Sequence, residues 1–296
     1  MQRVLFSVSY AGLWGQDRLG LEEFIPHAKA LGYDAVELMG KRPHLSPLDY
    51  HDRELAGLKK LCDAGGLAVA CVAAYTDFTG GAGTPEVPFV EMQVQYVEAL
   101  ARMARALGSG LVRVFTSYDR DDLPIAQQWS RTADAIRQCC DRSKEFGVTV
   151  GIQNHHDLAV HSRALLELHR EIDRPNCKLM SDPWSVCLRG ENPFEAAKAL
   201  APLTAYTTVA DYVRLPRFQY RPGLTNYTRL DDMVRAVPVG EGDLDILGFL
   251  RGLKAGGYDG PVAYEMCSPL RGGGSLENLD RCAKGFLRWL EANRLT

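Results

Sequence analysis

Gly257-Tyr258-Asp259-Gly260-Pro261-Val262-Ala263-Tyr264-Glu265 is a glycine turn feeding a short apolar strand that stops on a carboxylate. Far upstream, Gly32-Tyr33-Asp34-Ala35-Val36-Glu37-Leu38 repeats the pattern. A barrel of parallel strands and helices keeps its reacting groups at the C-terminal ends of the strands, where the following loops form one mouth. Two well separated strands, each with a glutamate at or near that end, therefore predict such a barrel with Glu37 and Glu265 at its mouth.

Aliphatic and β-branched runs alternate with longer segments of helical period along the whole chain. Strands are expected at 4–9, 35–39, 68–72, 111–115, 149–153, 178–181, 205–210 and 261–266. Helices are expected at 21–31, 55–64, 89–107, 131–146, 162–171, 193–200, 244–255 and 276–292. Several of these meet a glycine just past their last turn (Gly32, Gly65, Gly108, Gly147, Gly256), where a left-handed backbone costs glycine little. Eight such units in series predict an α/β fold, a single (β/α)8 barrel filling residues 1–296. The stretch 214–239, rich in Arg, Pro and Tyr and without a period, reads as a long substrate-facing loop.

The formal charge of −3 gives no attraction to phosphate backbones, and no run of five or more like charges suggests a nucleic-acid arm. Nucleic acid is therefore not an expected partner. No apolar run approaches the ~20 residues that cross a bilayer, so no membrane partner is expected either. The eight cysteines are scattered without a Cys-x-x-Cys pair, and the N-terminus lacks a secretory pattern, which predicts reduced thiols and a cytoplasmic location. The oligomeric state is left open, a homo-oligomer included.

With Gly32–Glu37, the run from Gly147 to His155, Asp182-Pro183, Val237-Pro238-Val239-Gly240-Glu241-Gly242-Asp243-Leu244-Asp245 and Gly256–Glu265 in this order and at barrel spacing, the chain resembles the xylose-isomerase-like TIM barrel superfamily. That superfamily includes sugar phosphate isomerases and epimerases, inosose dehydratases and AP endonucleases. In its sugar-epimerizing members a divalent metal is held by Glu, Asp, His and Glu after strands five to eight. The resemblance maps these positions onto Gln153, Asp182, Thr208 and Glu265, so two of the four ligand types are kept. An Mn²⁺, Mg²⁺ or Zn²⁺ site would rest on Asp182 and Glu265 as anions, with Gln153 as a neutral donor. Two substitutes are in range: Asp211, three residues past Thr208, and His155, which shares a strand face with Gln153. The opposing reading is a metal-free mouth in which Gln153 and Asp182 hydrogen-bond to each other and to sugar hydroxyls.

Gln153 also constrains the reaction. Where the resemblance implies two glutamate bases, an amide that cannot titrate leaves one, so a single-base reaction with Glu265 as proton acceptor fits better. His155 is the alternative proton carrier, since an imidazole titrates near neutrality, whereas His156 and Asp157 are as readily packing and helix-capping groups. Glu37 and Arg113 either hold substrate or neutralise each other inside the barrel. Trp14 and Trp184 either stack on a sugar ring or pack the rim. The glycine-rich 268–275 stretch, with Arg271, reads as an anion-binding loop or as a hinge in which Ser275 caps the last helix.

These residues predict a carbohydrate isomerase or epimerase acting on a keto-sugar, sugar phosphate or inosose by proton abstraction next to a carbonyl. The alternatives are a keto-sugar or inosose dehydratase and a non-catalytic sugar-binding barrel. An AP endonuclease is disfavoured, because no histidine follows His169 to build a multi-zinc site.

Overall fold

A computed structural model describes residues 1–84 and 86–296. Eight parallel strands close into a barrel: β1 (Gln2–Phe6), β2 (Ala35–Met39), β3 (Ala68–Ala73), β4 (Leu111–Val114), β5 (Thr149–Gln153), β6 (Cys177–Met180), β7 (Thr204–Val209) and, closing against β1, β10 (Pro261–Tyr264). Each coincides with an expected strand to within a few residues at its ends. Between β7 and β10 the chain makes an antiparallel ribbon, β8 (Asp211–Arg221) and β9 (Asn226–Val237). Around the barrel lie α1 (Leu21–Leu31), α2 (Asp52–Gly65), α3 (Phe89–Ala106), α4 (Ile125–Lys144), α5 (Ser162–Ile172), the short α6 (Pro183–Leu188), α7 (Pro193–Leu200), α8 (Ile246–Ala255) and α9 (Leu276–Ala292).

The strands read as nearly continuous apolar runs because both of their faces are covered. Outward residues such as Leu5, Val36, Val112, Ile152 and Val262 meet the apolar stripes of the helices, including Phe24, Ile136, Leu165 and Phe286, in one buried cluster. Inward residues stack in layers. The floor is Val4, Ala35, Leu111, Met180, Tyr206 and Ala263. Gly151 leaves the space that Met180 fills, since a Cβ there would stand 2.5 Å from the Met180 sulfur.

Three sequence expectations need correction. The 214–239 stretch is a ribbon and not an irregular loop. It shows no period because most of it is exposed on both faces, so burial imposes no alternation on the side chains. Helix α4 starts at Ile125, just past Pro124, rather than at 131, because its first turn exposes the apolar Ile125 and buries the polar Gln128, the reverse of an apolar stripe. At two Gly-Gly pairs the left-handed residue is the second glycine, Gly66 at φ 61° and Gly257 at φ 91°, and not Gly65 or Gly256.

Candidate active site

The C-terminal ends of the strands open into a cavity of about 420 Å³. Its walls are aromatic: Trp14, Tyr75, Phe115, Tyr118, Trp184 and Tyr212 line it. Its polar groups include Arg113, Gln153, His155, His156, Asp182 and Glu265. An apolar pocket of this size with a few convergent polar groups is the ordinary form of a small-molecule site.

Glu265 directly follows β10, and its backbone N–H donates to Val209 O at 3.0 Å, which fixes it beside the end of β7. The Cys267 thiol donates to its Oε2 at 3.3 Å. Burial pushes the Glu265 carboxyl up to about 7; Arg113 pulls against that rise and Asp182 adds to it. Gln153 ends β5 with its amide directed sideways: Nε2 donates to Asp182 Oδ2 at 3.0 Å and to Thr208 Oγ1 at 3.2 Å, while its buried Oε1 has no partner. Asp182 is itself held in place. Its Oδ1 accepts from Ser185 N at 2.9 Å, capping α6, and its own N–H donates to Asn154 Oδ1 at 2.8 Å. Burial raises its carboxyl, opposed by the Ser185 and Gln153 hydrogen bonds.

Arg113, inward on β4, is 2% exposed. Its guanidinium lies 4.2 Å from the Phe115 ring centre, 4.8 Å from Tyr75 and 5.4 Å from Phe6. Nη2 donates to Ala74 O at 3.2 Å, and Nε has no partner. Lys41 also stands over the Tyr75 ring, 4.0 Å from its centre, and burial and the Arg113 charge hold its ammonium below the ordinary lysine value.

Glu37 is fully buried and does not line the cavity, contrary to the expected mouth position. The reason is register: Glu37 is the third residue of a five-residue strand, so it sits one inward layer below Met39. There Tyr206 Oη donates to its Oε2 at 3.1 Å, and its Oε1 is unpartnered. Burial pushes its carboxyl up to about 8, with Arg113 opposing and Glu265 adding.

The folded chain thus holds protons on Glu37 and Glu265 that the unfolded chain, with carboxyls near 4.5, releases at lower pH. Stability is expected to fall as pH rises from about 4.5 to about 8, because the native state binds more protons across that window. Denaturant melts at several pH values check this. Glu37→Gln, which has no proton to lose, should flatten the slope; a slope identical to the wild type would refute the assignment.

His155 and His156 both reach the cavity wall, their rings 4.6 Å apart. Burial, reinforced by Arg113, holds His155 down to about 4, and burial with the neighbouring His155 does the same for His156. Both imidazoles are neutral at pH 7. His156 adopts φ 63° and stacks on Tyr118 at 4.1 Å. Asp157 accepts from Asp119 N at 2.9 Å, while His161 caps the following helix.

Two other candidates lie elsewhere. Asp211 is 1% exposed, but its carboxylate accepts the N–H groups of Tyr212 (2.9 Å), Gly240 (2.8 Å) and Gly242 (3.0 Å), so it organises the ribbon's root and is not a ligand. Arg271 is exposed and faces Glu241 at 3.7 Å, away from the cavity. The glycine-rich stretch is internally satisfied: Ser275 caps α9, Leu276 N donates to Asp17 Oδ2 at 2.8 Å, and Asn278 Nδ2 donates to Arg271 O and Gly273 O. Among the described residues no group of three or more His, Cys, Asp or Glu stands where it could hold a metal ion.

Sequence reasoning missed Lys41, Tyr75, Phe115, Tyr118, Tyr212 and Cys267. The signal was positional: Phe115 directly follows β4, and Tyr75 and Cys267 come within three residues of a strand end.

The fold recurs in solved structures. A D-allulose 3-epimerase from Methylomonas sp. superposes with a TM-score of 0.74 at 16% identity, covering 99% of this chain and 98% of its own. The probable 3-DHS dehydratase AsbF from Bacillus anthracis gives 0.71 at 18% identity, covering 98% and 99%. A 3-dehydroshikimate dehydratase of Pseudomonas aeruginosa is 25% identical over 280 residues, 90% of this chain, which spans 38% of that protein's length. The family model described as a xylose isomerase-like TIM barrel matches residues 25–290, and the chain belongs to that family.

Proposed function

We propose that this chain is an enzyme that removes a proton next to the carbonyl of a small keto-sugar or cyclitol, with Glu265 as the base. The observation that carries this reading is a carboxylate raised to about 7 by burial and set in an aromatic-walled cavity. A base titrating near the working pH both accepts the proton readily and exists in its reactive form. Asp182, with Gln153 fixed against it, offers oxygens to substrate hydroxyls, and Gln153 Oε1 is an acceptor still lacking a donor. Trp14 and Trp184 supply flat apolar faces for the C–H side of the ring.

Proton abstraction places the C–H electron pair into an enediolate. Return of the proton to the neighbouring carbon, with the hydroxyl proton passing from one oxygen to the other, isomerises the substrate; return to the opposite face of the same carbon epimerises it. Loss of a β-hydroxyl as water instead gives dehydration. The second outcome has its own support: Gln153 stands where a second titratable carboxylate would be needed, and a similar curated protein is a dehydratase. His155, neutral in the same cavity, is the second group able to pass a proton. The free cysteines and the lack of any described helix long and apolar enough to cross a membrane support a cytoplasmic enzyme of small metabolites.

The divalent ion that the family resemblance implies does not fit the donors present. Gln153 directs amide N–H, not oxygen, at Asp182 and Thr208, and only Asp182 and Glu265 supply charge.

Incubating the protein in D₂O with a panel of keto-sugars, inososes and dehydratable keto-polyols tests the proposal by proton NMR. Deuterium should enter at the carbon α to the carbonyl of at least one of them, with kcat/KM rising with pH through about 7 as Glu265 ionises. Ligand binding without exchange anywhere in the panel would leave a sugar-binding barrel in place of an enzyme.

A further inference from the structure

We propose that Arg113, and not a divalent cation, is the fixed positive charge of this mouth, and that the reaction runs without metal. The inference rests on the proposed proton abstraction for its chemistry, but its binding arm stands apart from activity.

The ligand geometry is the first ground. Both Asp182 oxygens are engaged, Oδ2 by Gln153 Nε2 and Oδ1 by Ser185 N. The Gln153 orientation is set by its surroundings, since Asp182 and Thr208 offer oxygens to that end of the amide. Turning Oε1 inward to ligate an ion would set it against the Asp182 carboxylate and discard two hydrogen bonds. Thr208 contributes an uncharged hydroxyl where imidazole would be required.

Arg113 is the second ground. A guanidinium carries five N–H donors and a charge that does not titrate in proteins. This one is 2% exposed, yet a single hydrogen bond, to Ala74 O, is made at distances under 3.5 Å, and its buried Nε is unpartnered. Aromatic faces on three sides hold the plane in place but accept little from its edge. A buried cation with donors to spare needs an oxygen-rich ligand, and it lines the same cavity as Glu265. Glu265, once ionised, stands close enough to act on the Arg113 charge, so a countercharge for the guanidinium is present in the cavity without an ion.

The step balances within the chain. Glu265 takes the α-proton, the C–H pair becomes the enediolate double bond, and the carbonyl oxygen gains the negative charge that the Arg113 N–H groups receive. The proton passes from Glu265 to the neighbouring carbon as the hydroxyl proton crosses between the two oxygens, or it leaves with a β-hydroxyl as water. Neither an oxidant nor a reductant is required.

Isothermal titration with Mn²⁺ and metal analysis after chelation read the first half of the proposal without substrate. Wild type should show no stoichiometric Mn²⁺ binding, whereas the double variant Gln153→Glu, Thr208→His, which restores both missing ligand types, should acquire it. Wild-type binding as tight as that of the double variant overturns the proposal, as does a folded double variant that still binds none. α-Deuterium exchange reads the second half. It should be unchanged by chelator in wild type and fall about 10²–10³-fold in Arg113→Lys, which keeps the charge but loses the fork, at an unchanged melting temperature. Partial recovery of Arg113→Ala by added methylguanidinium should accompany this. Exchange abolished by chelator and restored by Mn²⁺ overturns the role of Arg113. If no substrate exchanges in wild type, the proton-abstraction reading fails while the Mn²⁺ titration still decides the metal question.

Discussion

Glu265→Gln is expected to lower turnover by about 10²–10⁴-fold while leaving the fold and much of the substrate affinity in place. The substitution keeps the shape of the side chain, and the backbone hydrogen bond to Val209 O does not depend on it. An amide oxygen remains for the Cys267 thiol. What disappears is a cavity carboxyl whose proton affinity burial has raised to about 7. Substrate exchange in D₂O separates this loss from a general one, because it reports removal of the α-proton even where later steps are slow. Gln153→Ala should instead raise KM with a smaller fall in kcat, since it deletes a hydrogen-bonding surface and no proton carrier. Exchange that survives unchanged in Glu265→Gln would move the base elsewhere, with His155 on the cavity wall the first replacement to test.

Asp211→Ala should cost about 3–5 kcal/mol of stability, the largest structural effect expected from a single polar side chain here. Three backbone N–H groups, of Tyr212, Gly240 and Gly242, converge on its carboxylate at 2.8–3.0 Å. Each buried donor left without an acceptor costs about 1–3 kcal/mol, reduced where water enters. In a chain of this size the melting temperature should drop by on the order of 10 °C. Asp211→Asn, which keeps one acceptor oxygen, should fall between. Gly242→Ala gives a second approach to the same contact, because its Cβ would collide with the Asp211 carboxylate. Thermal melts followed by circular dichroism decide the matter, and a shift of a degree or two for Asp211→Ala would show that the cluster is not buried as described.

The eight barrel strands were legible because each is covered on both faces and so keeps an apolar run that glycine turns delimit. Glu265 was placed well for a local reason: it follows the last strand directly. Glu37 was misplaced by one layer although the strand's bounds, 35–39, were read correctly: two residues of strand follow it, so period-two alternation puts it one inward layer below Met39. Asp211 was misread for a different reason. Its partners Gly240 and Gly242 lie 29 and 31 positions away, and nothing local tells an acidic residue after a strand whether it turns to the mouth or to a distant turn. Arg271 faces Glu241 through the same long-range folding. The aromatic wall was passed over because Tyr75, Phe115 and Tyr212 belong to no spacing motif; their neighbourhood exists only once the strands are assembled in a ring.

Every strand of the barrel has a neighbour on each side, so the ring offers no row of unpaired backbone groups. Among the described residues the ribbon differs: β8 and β9 pair with each other, and beyond them only Ala236 is bridged, to Leu270, near the root. Its outer margins are thus where a foreign extended segment would find free N–H and C=O groups. Pro216 and a register shift between Leu215 and Arg217 interrupt one margin, and arginines at 214, 217, 221, 229 and 235 add charge along both. Those features discourage fibrous self-association at the point where a closed barrel alone would need no protection. Because Tyr212 and Val234 carry the ribbon into the cavity wall, a strand that did add there would strain the wall against which substrate rests.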